Sequence, residues 1–577
     1  MLSPYYISSD TMRKTVSLLI ASLVSLCLYA AAPSAAVVNV ITYDAQGSVL
    51  HSGYGFYVSA DGRAVVPYTL LQDAYRAEVI DAKGARSTVT RLAGASSALD
   101  IAIVYAPTRK ADFLTIAPAE GAALAEGSTA TLAYYTTNKK DTPLAATITR
   151  AEAYGAYAYY TLSTDNSDKY FGCPLLDATG QVVGIVQRSV GKDATSACAV
   201  DARFVHQCGV EAISALGSDY AALHFPVMLP EQEQDAYNFV YMLTRSGAAD
   251  EKVKPALDDY VAAYPDSVKG YLERATYATE HLDFAAADAD IKAALATGLH
   301  ADEVHNTYAN LILSKQTAMP EPAYGDWTLE RALAEAERAY AIRPQGLYEL
   351  QQASVLFVMQ RYAEAAAHYA AVAQSSIGQP EHHYLAARAL KLTGDESVMP
   401  EVMAHLDSAV AGYTAPYPVE AAKYLLERSQ VRLMQRQYRL AVADLNDYEK
   451  AVGPQNLNAE FYAMRMGAER SAKMYQQAIN DANTAAHFAG EAEGPYYRLE
   501  AALIYLQTRN FTEAADIALE VTRQKPDSAD AYKVLGIAQG YLGKRSEALQ
   551  HLAEAKRLGD DSVDTFIEKI KSGTLGQ

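Results

Sequence analysis

Residues 495–528 read PYYRLEAALIYLQTRNFTEAADIALEVTRQKPDS, and residues 529–562 read ADAYKVLGIAQGYLGKRSEALQHLAEAKRLGDDS. The two 34-residue blocks can be laid over each other. Unit position 8 is small in both (Ala502, Gly536), and position 20 is alanine in both (Ala514, Ala548). The first block adds Tyr505, Phe511, Ala518, Val521 and Pro526; the second adds Gly543, Arg545, Leu552 and Ala555. A fixed period of this length predicts a solenoid of stacked helix–turn–helix units. Small residues let the two helices of a unit approach, and the large ones fill the space against the next unit.

The same template recovers units upstream. A large residue at position 17 recurs as Phe284, Tyr362, Tyr438, Tyr475 and Phe511, with Arg545 in the last unit. Three residues later stand Ala287, Ala365, Ala441, Ala478, Ala514 and Ala548. Position 8 is Ala275, Ala353, Ser429, Ala502 and Gly536, with Met466 as the exception. The wider anchor gaps predict degenerate units over Asp302–Pro344 and Pro380–Tyr413, and a longer inter-helix loop at Thr317–Asp326. Tyr264-Pro265-Asp266-Ser267 echoes Lys525-Pro526-Asp527-Ser528, so one more unit is expected to end at Ser267, giving about eight. This pattern resembles the tetratricopeptide repeat.

The resemblance implies a concave groove, lined by the first helix of each unit, that binds a peptide or protein partner. The groove candidates are Tyr496, Leu499, Leu503 and Gln507 in one unit, and Asp530, Lys533, Ile537 and Tyr541 in the next. The competing reading is that apolar members such as Leu503 are inter-repeat core and the polar ones merely solvated.

Composition bounds the rest. The 577 residues predict several domains. A net charge of −19 argues against nucleic acid, whose phosphates call for Lys and Arg. Tyr is abundant, 42 against a single Trp, which suits wet binding surfaces. Met12-Arg13-Lys14, the apolar run Val16–Tyr29 and the small residues of Ala30–Ala36 read as a secretory signal, with Met1 or Met12 as the initiator. A retained anchor is the alternative, but no other long apolar run follows. Leu26 before Cys27 argues against a lipoprotein. Cys173, Cys198 and Cys208 remain after cleavage; Cys198 could pair with either of the others. No CxxC or HxxxH spacing points to zinc, so neither a metal nor a cofactor is expected.

From Val37 to about residue 215 short β-branched and aromatic runs alternate with Gly, Asp and Lys turns. The runs are Val37–Tyr43, Gly55–Val58, Ala64–Pro67, Ala77–Ile80, Thr88–Leu92 and Ile101–Tyr105, then Thr129–Tyr135, Ala145–Arg150, Ala156–Leu162, Val182–Gln187 and Ala199–Phe204. They predict two packed barrels rather than a βαβ sheet. Three stretches resemble a trypsin-like serine peptidase of the bacterial stress-protease type. These are Gly53–Val58 through Gly62, Ala98–Val104, and Gly172–Leu176 with Gly180–Ile185. On that resemblance the base position reads as Thr69, the orienting acid as Asp100, the nucleophile as Phe171 and the oxyanion glycine as Lys169. A hydroxyl is no base at neutral pH, and a phenyl ring cannot attack a carbonyl. His51, His206 and Cys173 lie out of register for a substitute triad.

The expected architecture is therefore a signal peptide over 1–36, an all-β two-barrel trypsin-like pseudopeptidase over 37–215, and a linker over 216–230. An all-α tetratricopeptide-repeat solenoid follows over 231–577. The expected function is an exported, non-enzymatic binding scaffold in the periplasm or outside the cell. The rivals are an active serine peptidase whose array delivers substrates, and a structural part of an envelope assembly or export machine.

Overall fold

The computed structural model describes residues 33–138, 142–166, 168–188, 195–210 and 217–575. Nearly all of the signal segment lies outside them; of its last residues, Ser34 and Ala36 are buried. Among the described residues no helix is long and apolar enough to cross a membrane. The chain forms two compact units, Met1–Val304 and His305–Gln577.

The first unit opens with strands β1 (Val37–Tyr43), β2 (Val49–Tyr57), β3 (Arg63–Val66), β4 (Arg76–Ile80), β5 (Arg86–Thr88), β6 (Arg91–Ser96) and β7 (Ile101–Tyr105). They form an antiparallel sheet in the order β5-β4-β1-β2-β3-β7-β6. The next six are β8 (Thr129–Leu132), β9 (Leu144–Tyr154), β10 (Tyr157–Asp165), β11 (Pro174–Leu176), β12 (Val182–Gln187) and β13 (Ser196–Asp201). These close into a barrel. The expected strands at Val37–Tyr43, Ile101–Tyr105 and Val182–Gln187 coincide with β1, β7 and β12. Two runs differ from the expectation. The run at Thr88–Leu92 is split between β5 and β6, and Ala199–Phe204 leaves the sheet at Asp201, whose carboxylate caps a following 3-10 turn by accepting from Arg203 N.

The expected linker is a packed segment of the first unit. Tyr220, Leu223, Phe225 and Val227 are buried in one apolar cluster with Leu92, Phe239 and Tyr260. Leu92 N donates to Pro226 O at 2.8 Å, and Met228 N donates to Leu92 O at 2.8 Å. This backbone pairing covers the outer edge of β6, which would otherwise present unpaired groups. Arg91 grips Asp259 through Nε and Nη2 at 2.7 and 2.9 Å, which ties helix Asp250–Ala263 to the sheet. The first compact unit therefore carries helices Glu233–Arg245, Asp250–Ala263, Val268–Glu280 and Phe284–Ala296, well past the boundary expected at 231.

From Ala301 onward the chain is all helical. The expected degenerate units appear as helices Ala301–Ala318 with Leu329–Ile342, and Pro380–Leu392 with Met399–Ala411. The loop between the first two is pinned by Lys315 Nζ, which donates to Pro320 O at 2.5 Å and Pro322 O at 2.8 Å, and by buried Trp327. The unit expected to start at Pro495 starts earlier. Helix Tyr475–Gln507 is broken at Gly490, where φ is 69°, so the new hairpin begins just after that glycine.

The template's small positions fall at helix crossings. Ala287, Ala365, Ala441, Ala478, Ala514 and Ala548 are all fully buried. In the last unit a Cβ on Gly536 would meet Leu552 Cγ at 2.7 Å and Ala548 O at 3.0 Å. Ala514 sits in the equivalent crossing, in a cluster with Leu499, Ala502, Ala518 and Val534. Ala514→Leu is expected to overpack it and destabilise the chain by about 1–3 kcal/mol. Thermal unfolding of the full chain checks this; an unchanged profile would mean that Ala514 is not at a close crossing.

Candidate functional site

Two places gather the residues singled out in the sequence. The first lies in the β region. Pro67 ends the strand direction after β3 and starts a 3-10 turn over Tyr68–Leu70 that presents Thr69 at the surface. Asp100 stands just before β7 with φ 51°, a left-handed conformation that an aspartate tolerates. Its carboxylate accepts from Thr69 N at 2.8 Å and from Thr69 Oγ1 at 3.3 Å. Burial pushes the Asp100 carboxyl above its ordinary value, against the lowering pull of those two bonds and of the Arg188 charge. The pair is thus a hydroxyl bonded to a carboxylate, with no imidazole in it.

Phe171 is 2% exposed and packs in the same cluster as Tyr68 and Leu70, on either side of Thr69 in the chain. Its ring carries the Arg188 guanidinium at 4.6 Å. Its carbonyl accepts from Tyr54 N at 3.1 Å. Gly172 follows with φ 85°, and a Cβ there would stand 2.0 Å from Tyr54 O, so only glycine fits. Lys169 has its ammonium 4.8 Å from the Tyr134 ring centroid. Arg188, which touches both Phe171 and the field of Asp100, was not indicated by the sequence; its strand end carries no motif.

Of the other nucleophile and base candidates, Cys173 is shut in by burial and the His206 ring is hydrogen-bonded. Cys173 is buried and its thiol is pushed up to about 12 by burial, so it holds its proton. Cys208 is likewise buried, its thiol pushed up to about 11. Both are free thiols, so neither pairing considered for Cys198 forms. His206 Nε2 lies 2.9 Å from Ala117 O, and the His51 backbone N donates to Thr42 Oγ1 on the neighbouring strand.

Residues 53–185 match the family model of the trypsin-like peptidase domain. The trypsin-like domain thus spans the Thr69, Asp100 and Phe171 positions. Among solved structures the chain is similar to one described as an HtrA-type protease AlgW with tripeptide. The identity is 16%, the TM-score 0.26, and the match covers 32% of this chain and 60% of that one. No curated protein matches the chain.

The second place lies between consecutive helix hairpins at the C-terminal end. A cavity of about 480 Å³ is lined by Tyr496, Leu499, Leu503, Asp530, Lys533 and Ile537 among others. Six of the eight groove candidates therefore line one space. The other two, Gln507 and Tyr541, line an adjoining cavity of about 480 Å³ that shares Leu503, Leu506 and Ile537. The structure separates core from surface among the eight. Leu499 and Ile537 are buried in inter-helix clusters. Tyr496 is 64% exposed at the rim. Lys533 Nζ is held by Asp560 at 3.0 Å and by Ser562 Oγ at 2.6 Å. Gln507 accepts from Arg470 Nε at 3.2 Å, and Tyr541 stacks on Phe511 with centroids 4.4 Å apart. Leu503 is half-buried and reaches both cavities.

The template also missed a recurrent charge device. Arg274 forks onto Asp290, Arg428 onto Asp444 and Arg465 onto Asp481, each pair sixteen residues apart. The arginine lies on the first helix of a hairpin and the aspartate on the second. Each arginine also reaches an acid on the preceding hairpin: Asp258, Asp407 and Glu449. The Arg–Asp spacing of sixteen was the readable signal.

Proposed function

We propose that this chain is an exported, non-catalytic scaffold whose tetratricopeptide-repeat array binds a peptide or protein segment. The observation that carries the reading is the cavity of about 480 Å³ that collects Tyr496, Leu499, Leu503, Asp530, Lys533 and Ile537 from two consecutive hairpins. Its apolar floor (Leu503, Leu506, Val534) and its rim of Tyr496, Lys525 and Asp530 suit a side chain flanked by polar backbone. An exposed tyrosine at such a rim offers large contact area at low entropic cost.

In this reading the trypsin-like domain is a pseudopeptidase. Thr69 occupies the base position and is bonded to Asp100, while Phe171 fills the nucleophile position under Arg188. The domain then serves as a rigid body to which the first helices are fastened, through Arg91–Asp259 and the Tyr220–Val227 segment. The signal segment at the N-terminus supports export, with the protein residing in the periplasm or beyond it.

A photoreactive residue placed at Leu503 tests the groove. Irradiation in an envelope fraction is expected to give a discrete cross-linked protein species. The same group at exposed Arg523, away from the cavity lining, should give none. Absence of a species from position 503, or an identical one from 523, would contradict the groove.

A further inference from the structure

The charged residues that line the cavity beside Tyr496 are Glu500, Lys525, Asp527, Asp530 and Lys533. Glu500 and Lys533 are already neutralised within the chain. Arg470 Nη1 lies 3.2 Å from Glu500 Oε2, and Lys533 Nζ lies 3.0 Å from Asp560 Oδ2. Asp527, Asp530 and Lys525 are exposed and form no ion pair among the described residues. Two carboxylates against one ammonium leave this rim with negative charge in excess. The rim also carries Tyr496, 64% exposed, whose ring stands edge-on to Tyr497 with centroids 5.3 Å apart. A tyrosine face beside carboxylates attracts a cation.

The same chemistry is satisfied internally further up the array. Lys423 Nζ stands 5.5 Å from the Tyr384 ring centroid and 5.0 Å from that of Tyr424, and it donates to the Glu381 carboxylate. Those residues come from Pro380–Leu392 and Ala422–Met434, the first helices of consecutive hairpins. Tyr496 and Asp530 also come from the first helices of consecutive hairpins, yet among the described residues no cation stands over the Tyr496 ring. The other end of the groove has the opposite sign. Beyond Leu503 and Leu506 the adjoining cavity is lined by Arg470 and Arg509 and by no carboxylate.

Building on the groove described under the proposed function, we infer that its occupant is an extended segment with a lysine or arginine on the Tyr496 side of an apolar anchor. The anchor fills the space over Leu503, Leu506 and Val534. The cation lies against the Tyr496 ring and offsets the excess charge of Asp527 and Asp530. Tyr496 and Leu503 are seven residues apart on one helix, which is about 10 Å of rise. An extended chain covers that length in about three residues. The basic residue therefore stands about three positions from the anchor. An acidic residue at that position would face like charge, which selects against such segments.

The probe is a phage-displayed library of random dodecapeptides, panned in parallel on the full chain and on its Leu503→Asp variant, whose apolar floor is spoiled. Peptides enriched on the wild type and lost on Leu503→Asp report the groove. Among them an apolar residue with Lys or Arg about three positions away is expected to dominate. Asp527→Lys combined with Asp530→Lys should turn that preference to Asp or Glu. For one enriched peptide made synthetically, Tyr496→Leu should weaken binding about two- to fivefold. Circular dichroism checks that the variants fold. Should Leu503→Asp fail to fold, cross-linking of the synthetic peptide to a photoreactive residue at 503 takes its place. Groove-dependent peptides without a basic residue, or a preference unchanged by the double aspartate variant, overturn the inference and leave the groove standing. The absence of any groove-dependent peptide overturns both.

Discussion

Arg465→Ala is expected to destabilise the helical unit by about 3–5 kcal/mol, read from chemical or thermal unfolding of the full chain. Arg465 is buried on helix Ala459–Ser471. Its Nε and Nη2 hold the two Asp481 oxygens at 2.7 and 2.9 Å, and its Nη1 holds Glu449 Oε2 at 2.6 Å and Asn446 Oδ1 at 3.0 Å. Truncation removes the only cation in that set and leaves buried Asp481 and half-buried Glu449 facing one another. The cost is that of uncompensated buried charge, larger than the worth of the pair itself. Arg465→Lys keeps the charge but loses the fork, so it should fall between wild type and alanine. The surface pair Arg557–Glu554 is the contrast, and Arg557→Ala should barely move the melting profile. If Arg465→Ala melts like the wild type, the fork does not hold adjacent hairpins together.

The same cluster predicts a pH dependence. Glu469 is buried, its Oε2 has no hydrogen-bond partner among the described residues, and its carboxyl is pushed up from 4.5 to about 8. Burial is the main cause, and the charge of Asp481 adds to it. In the unfolded chain the group ionises near 4.5, whereas in the folded chain it keeps its proton up to about 8. The folded state therefore binds more protons in that window, and stability falls as pH rises through it. The slope expected for one such proton is about 1.4 kcal/mol per pH unit. The contribution is fully present below about 4.5 and lost above about 8. Glu469→Gln, neutral at every pH, should remove the slope and leave the variant more stable than wild type at alkaline pH. A wild-type stability flat between pH 5 and 8, or a slope that survives Glu469→Gln, would contradict the assignment.

What the sequence made legible follows from what its patterns report. Alanine at position 20 marks a close helix crossing by its volume alone, and all six such alanines are buried. The strands β1, β7 and β12 were legible because β-branched runs on a buried sheet leave no other reading. The segment around Pro226 was not, because it pairs through backbone groups on β6, and backbone pairing leaves no side-chain period. The groove candidates share one region, but a helical period cannot separate Leu499 and Ile537, buried against neighbours, from Tyr496 at the rim. The Arg–Asp forks escaped because charged residues on helices ordinarily face water, and only three-dimensional packing turns those inward. Arg188 over Phe171 escaped for the related reason that the turn before β11 and the chain just past β12, which carry them, meet only in the fold.

The central claim is that the trypsin-like domain performs no peptidase chemistry. A working triad that loses its base or nucleophile still keeps roughly 10³–10⁴-fold acceleration, supplied by its oxyanion donors and substrate binding. On the proposed reading Thr69, bonded to Asp100, stands at the base position, buried Phe171 at the nucleophile position and Lys169 at that of the oxyanion glycine. Even that remnant should be absent, and Thr69→His combined with Phe171→Ser should not restore hydrolysis. The most direct measurement is labelling of the full-length wild-type chain with a fluorophosphonate probe, followed by peptide mapping of residues 37–215. The account predicts no adduct on any serine and no ester or peptide hydrolysis above background. Stoichiometric labelling of a serine in that range would contradict it and establish an active peptidase.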